Sequence, residues 1–261
     1  MNTDQPPAPF AALRGHGRFG YSPIHQRPDY RWPNGARLAV YLGFNLEHFA
    51  FGEGLGAGIG PISPQPDVLN YAWREYGNRV GAWRCLDLFD ALCLPTATIL
   101  NTALYDHCPE LLQACVTRGW LSPWISESLL TPDLLNETGY QYNLNWCHDD
   151  QPTRMQTRSG ETIWSLPYPQ ELNDIPMIMH RQMDARDFAD MLIDNTDEML
   201  LQSAQQPLVM GIALHPYIVG QPYRLRHLRR ALQHIAKLRD EERVWVCKPG
   251  QIIDHVNAMN L

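Results

Sequence analysis

The stretch 145–152, Asn-Trp-Cys-His-Asp-Asp-Gln-Pro, places two adjacent carboxylates (Asp149, Asp150), an imidazole (His148) and an indole within one short segment. Asp, Asn and Pro are also ordinary turn formers, so a solvated turn is the competing reading. Three further polar clusters follow apolar runs: Asn45, Glu47 and His48; Glu171, Asn173 and Asp174; and His215. A carboxylate and an imidazole in an aromatic-lined pocket suit general acid–base hydrolysis. One carboxylate activates water, and a histidine or second acid protonates the leaving group or stabilises the oxyanion. On that reading Glu47, Asp149, Asp150 and His215 are catalytic candidates, and His48, Trp124, His148, Glu171 and Asn173 shape the substrate pocket.

The elements that must position these residues are legible from their periods. Residues 37–44, Arg-Leu-Ala-Val-Tyr-Leu-Gly-Phe, form a nearly continuous apolar run, the signature of a strand buried on both faces. Strands are predicted over 96–100, 140–144, 162–166, 209–214 and 244–246, and helices over 80–92, 109–118, 184–203, 224–238 and 251–259. A short helix follows Thr131, read as its cap, with Pro132 in its first turn. Strand–helix alternation implies a parallel sheet with right-handed crossovers, and in such folds the carboxyl ends of the strands gather on one face. The polar clusters are therefore expected to converge there. Residues 50–79, rich in Gly and Pro and then in aromatics, read as a long lid or binding loop. Residues 1–36 read as an extended arm, and 37–261 as a single catalytic domain.

Composition limits the partners. With 44% hydrophobic and 19% charged residues the chain is globular, and its formal net charge of −7 argues against nucleic acid or an anionic membrane surface. A neutral or small polar substrate fits better. The basic group Arg224, Arg226, Arg229 and Arg230 reads as the solvated face of an outer helix. No apolar run is long enough to span a bilayer, the first residues lack a signal-peptide pattern, and the six cysteines show no CxxC pair. A cytoplasmic location is the expectation. HExxH, GxSxG, P-loop and GxGxxG patterns are absent, which weighs against zincins, serine hydrolases, NTPases and dinucleotide enzymes.

Several motifs together carry a resemblance. These are residues 71–81 (Tyr-Ala-Trp-Arg-Glu-Tyr-Gly-Asn-Arg-Val-Gly), Thr131-Pro132-Asp133-Leu134-Leu135, Asp149-Asp150-Gln151-Pro152, Pro167-Tyr168 with Glu171-Leu172-Asn173-Asp174, and Ala213-Leu214-His215-Pro216. The chain resembles the polysaccharide deacetylase (NodB-homology) superfamily, in particular its cofactor-independent, allantoinase-like branch. The resemblance implies an α/β fold, a distorted (β/α) barrel that hydrolyses non-peptide C–N bonds. In metal-dependent relatives an Asp and two His hold a zinc-like ion and a second Asp acts as base. Here Asn45-Leu46-Glu47-His48 stands where the family's Asp-Asp pair is expected, and Ser122-Pro123-Trp124 lacks the arginine of the family's arginine-proline-aromatic motif. Gly119-Trp120 runs directly into Leu121-Ser122-Pro123, so the resemblance implies that about one strand–helix unit, roughly 30 residues at barrel spacing, is missing, and with it the family's metal-binding or catalytic histidine.

The residues and the resemblance taken together assign Glu47 or Asp149 as base, His215 as acid or oxyanion stabiliser, and Asp150 and His148 as polar or metal-capable partners. No cofactor is expected, because the family's zinc ligand set is incomplete. Opened strand edges favour a homo-oligomer. Two other readings stay open. One is a catalytically inactive binding or assembly homologue. The other is a metal-dependent deacetylase with Glu47, His148 and His215 as substitute ligands.

Overall fold

The computed structural model describes residues 15–52, 66–111 and 119–259. The chain runs β1 (Leu38–Leu46), α1 (Val68–Tyr76), α2 (Ala82–Ala91), β2 (Thr96–Leu100), α3 (Leu104–His107), β3 (Gly119–Trp120), α4 (Thr131–Glu137), β4 (Tyr142–Asn143), β5 (Thr153–Gln156) and β6 (Thr162–Ser165). It continues with α5 (Ala185–Gln202), β7 (Leu208–Leu214), α6 (Pro216–Val219), α7 (Pro222–Asp240), β8 (Val244–Val246) and α8 (Pro249–Ala258).

β1 is the axis of the molecule. Every residue of β1 and of β7 is buried, as their continuous apolar sequences require. β7 pairs in parallel along one edge of β1, from Leu38↔Leu208 to Phe44↔Leu214. The other edge is shared: β8 takes its first half, Leu38–Val40, and β2 its second, Leu42–Leu46. The two faces of β1 then feed two cores. Leu38, Val40, Leu42, Phe44 and Leu46 pack among residues of α2, α5 and α7, while Ala39 and Tyr41 join Tyr142, Trp164, Leu166, Tyr168 and Val209 in the interior cluster. This two-residue alternation is the strand pleat converted into layers.

A second sheet has the order β3-β4-β6-β5. The chain beyond β6 joins the first sheet, where Leu172 accepts from the Ala213 amide at 2.9 Å and Asn173 bridges to Ala213 in parallel. Between β2 and β3 the circuit is interrupted. Among the described residues β2 pairs only with β1, and β3 only with β4. All five β2 residues are only half-buried, unlike those of β1 and β7. The break lies where the resemblance leads one to expect a further strand–helix unit.

Several expectations change. The predicted lid is half helix: α1 begins at Val68, with Asp67 accepting from the Asn70 amide, and continues through a wide turn, Gly77–Gly81, into α2. Residues 53–65 lie outside the described part. Of the helix predicted over 109–118, the short turn Pro109–Leu111 is described and 112–118 are not. Thr131 is the first residue of its helix, not the cap, and its hydroxyl accepts from the Ser128 amide. β5, antiparallel to β6, was not expected, because its sequence Thr-Arg-Met-Gln carries one apolar residue and no alternation.

Candidate active site

The exits of β1, β2 and β7 hold a polar cluster built on the strand register. Phe44 and Leu214 are paired, so Glu47 and His215 leave adjacent strands on the same face. Asn45 points inward; its amide donates to the Leu214 carbonyl at 3.3 Å and to the Tyr168 hydroxyl at 3.5 Å. His215 is buried at 4% exposure and its partner Asp174 at 0%. The Asp174 carboxylate accepts from the His215 amide at 2.7 Å and lies 2.6 Å from Nδ1. Burial alone would push this imidazole down. The Asp174 carboxylate, with Glu47 beyond it, outweighs burial and the opposing Arg74 charge and holds the His215 pKa above its ordinary value.

Glu47 is held from α1 and α6. Arg74 Nε donates to its carboxylate at 3.1 Å, the Tyr217 hydroxyl donates at 3.0 Å, and Asn78 donates to its backbone carbonyl at 2.9 Å. Asn70, Arg74 and Asn78 recur at i+4 spacing, so one helical face, carried across the wide turn, presents them all. The Arg74 guanidinium also lies over the Phe49 and Tyr217 rings, 4.8 and 5.5 Å from their centroids. Beside this set, Glu75 Oε1 lies 3.2 Å from His48 Nδ1 and 2.6 Å from His107 Nε2, while Arg79 donates to Oε2 at 2.9 Å. Asn101, at the exit of β2, accepts from the His48 amide at 3.2 Å and donates back to its carbonyl.

The structure therefore brings together Glu47, His48, Asn173 and His215 of the residues singled out from sequence. Asn173 acts locally: its side chain accepts from the Ile175 amide at 3.1 Å. Sequence reasoning placed Arg74, Glu75, Asn78 and Tyr217 in no role. The i+4 spacing in 70–79 was the available signal, hidden by reading that segment as a loop.

Asp149 and Asp150 do not join the cluster. The Asp150 carbonyl accepts from the Val209 amide at 2.8 Å, at the start of β7, whereas His215 follows its end. Six residues of strand put about 20 Å between them. Asp149 is gripped by Arg27 of the N-terminal arm through two bonds of 2.6 and 2.7 Å. His148 is exposed and stacks on Phe19, ring centroids 4.4 Å apart. Glu171 is 69% exposed and pairs with Arg181 at 3.5 Å. Trp124 sits in the turn Pro123–Ile125, and its side chain lies outside the described residues. The expected convergence fails because the chain after Asn145 turns back towards the amino ends of the main strands before it reaches Asp149. A shared ligand set of Glu47, His148 and His215 fails for the same reason.

The Asp/His/His ion site that the resemblance implies is not assembled from matching positions, since Asn45-Leu46-Glu47-His48 stands where an Asp-Asp pair is expected. Among the described residues, the group whose donor atoms do come together is His48, Glu75 and His107, all within 4.8 Å of one another.

No protein-family model matches the chain. A Schizosaccharomyces pombe protein described as "Putative polysaccharide deacetylase" is 23% identical over 301 residues, covering 88% of this chain and 92% of that protein. That alignment is longer than the 261-residue chain, so it opens gaps in it. The crystal structure of PuuE allantoinase superposes with a TM-score of 0.77 at 21% identity, covering 95% of this chain and 98% of the other. A Pseudomonas aeruginosa structure described as "probable Polysaccharide deacetylase" gives 0.71 at 20% identity, with 89% and 95% covered. The resemblance carried by the motifs is thus met in both sequence and fold: the chain has the α/β fold of the NodB-type polysaccharide deacetylases and of the PuuE allantoinase.

Proposed function

We propose that the chain hydrolyses an amide-type, non-peptide C–N bond in a small or sugar-linked substrate. The observation that carries this reading is Glu47, fixed by Arg74 and Tyr217 at the exit of β1, next to the Asp174–His215 pair at the exit of β7. The similarity to proteins described as polysaccharide deacetylases and as an allantoinase supports it. Glu47 accepts a proton from water, and the resulting hydroxide adds to the carbonyl carbon. His215, whose Nδ1 is engaged by Asp174, offers Nε2 as the donor that stabilises the oxyanion and then protonates the leaving nitrogen as the C–N bond breaks.

The test is turnover of allantoin and of N-acetylated sugars by the purified full chain. Glu47→Gln and His215→Ala are expected to lower kcat/KM by about 10²–10⁴-fold, the usual size of a general acid or base contribution. Asp149→Ala, which breaks the Arg27 pair far from this cluster, is expected to lower thermal stability and leave kcat within about threefold. Activity that survives both Glu47→Gln and His215→Ala would refute the assignment.

A further inference from the structure

We propose that His48, Glu75 and His107 form a divalent transition-metal site of the zinc type, a ligand set that differs from the Asp and two His of the metal-dependent deacetylases. The inference needs only these three side chains and stands apart from the hydrolytic reading.

The three ligands come from separate elements: the exit of β1, the inner face of α1 and the end of α3. Each offers one donor atom, and the donors already lie within 4.8 Å of one another. Tetrahedral zinc holds nitrogen and oxygen ligands at about 2.0–2.2 Å, which sets donor–donor spacings of about 3.3 Å. Closing from within 4.8 Å to that spacing shortens the donor separations by at most about 1.5 Å. His48 Nδ1 and His107 Nε2 both face one carboxylate oxygen, the arrangement two imidazole lone pairs must have to meet on an ion beside a carboxylate. Their rings are stacked, centroids 3.5 Å apart and 14° from parallel. Two imidazolium rings so placed would repel. Two neutral rings can share a cation, and His₂-carboxylate is a ligand set of catalytic zinc sites that keep a fourth position open.

The surroundings suit an ion as well. Asn101 brackets the His48 backbone on both sides, fixing that ligand. Arg79, the other partner of Glu75, is 72% exposed and can swing away when a cation takes its place. A cleft of about 280 Å³ lined by Arg79, Trp83, His107 and Glu110 opens beside the triad, giving solvent a route to the fourth position.

The experiment is titration of chelator-treated full-length protein with Zn²⁺ by calorimetry and with Co²⁺ by visible absorption, which reports low-coordinate cobalt. One ion per chain is expected, with affinity lowered at least tenfold in Glu75→Gln and in His107→Asn, and unchanged in His148→Asn. Circular dichroism of each variant establishes that it is folded. Failure to bind a stoichiometric ion, or binding that persists in both Glu75→Gln and His107→Asn, overturns the site. Neither result depends on catalytic turnover, so it fails or succeeds independently of the proposed hydrolysis.

Discussion

The Asp174–His215 pair is the residue-scale feature with the clearest physical consequence. Both groups are buried, and breaking such a pair costs about 3–5 kcal/mol because the remaining group loses its partner. The folded-state pKa of His215 is raised above its unfolded value of about 6.5. The stabilisation is therefore fully present below about pH 6.5 and is lost as pH rises through the higher folded value. Urea denaturation should show wild-type protein losing stability from pH 6 towards pH 9 on this account. Asp174→Asn should be less stable at pH 6 and show a flatter profile; a variant with the wild-type slope would remove His215 from this role. The same titration takes away the proton that His215 is proposed to donate, so turnover should fall over the same interval.

At the scale of elements, the wide turn between α1 and α2 decides whether a site forms. It seats helix backbone directly on α6, with a Cβ placed at Gly81 lying 2.2 Å from the Pro216 carbonyl oxygen and one at Gly77 lying 2.9 Å from the Tyr217 amide nitrogen. Only glycine permits that approach. It brings Arg74, Asn78 and Tyr217 onto Glu47. Such wide turns recur at functional sites, where they re-aim side chains within a helix. Gly81→Ala should cost about 3 kcal/mol or more in chemical denaturation, because the clash is with backbone on both sides and cannot be relieved by a rotamer change. Folded Gly81→Ala protein is also expected to lose turnover, since Tyr217 moves with Pro216.

For the whole molecule, the governing fact is that the circuit of strands is interrupted among the described residues. β2 is supported by β1 on one edge and is half-buried throughout, while β1 and β7 are fully enclosed. Local opening free energy follows that difference in burial and pairing. Native-state hydrogen exchange should therefore find the amides of Thr96–Leu100 exchanging at least tenfold faster than those of Leu38–Leu46 and Leu208–Leu214. Equal protection would mean that the absent unit has been fully replaced. No helix among the described residues is long and apolar enough to cross a membrane.

Local chemistry alone specified the elements whose burial is uniform. β1, β7 and the helices α5, α7 and α8 could be read from the chain, because a strand enclosed on both faces or an amphipathic helix writes its environment into every residue. Glu47 and His215 were legible for a related reason: each directly follows such a strand, so the strand aims it. Asp149 and Asp150 looked equivalent in sequence, yet only the path of the backbone after Asn145 decided that they lie at the other end of β7, with Asp149 clasped by Arg27. The partnership of Glu75 with His48 and His107, and of Arg74 with Glu47, was likewise settled by tertiary packing. Those contacts join residues far apart in the chain, and no local period encodes which helix face will meet which strand end.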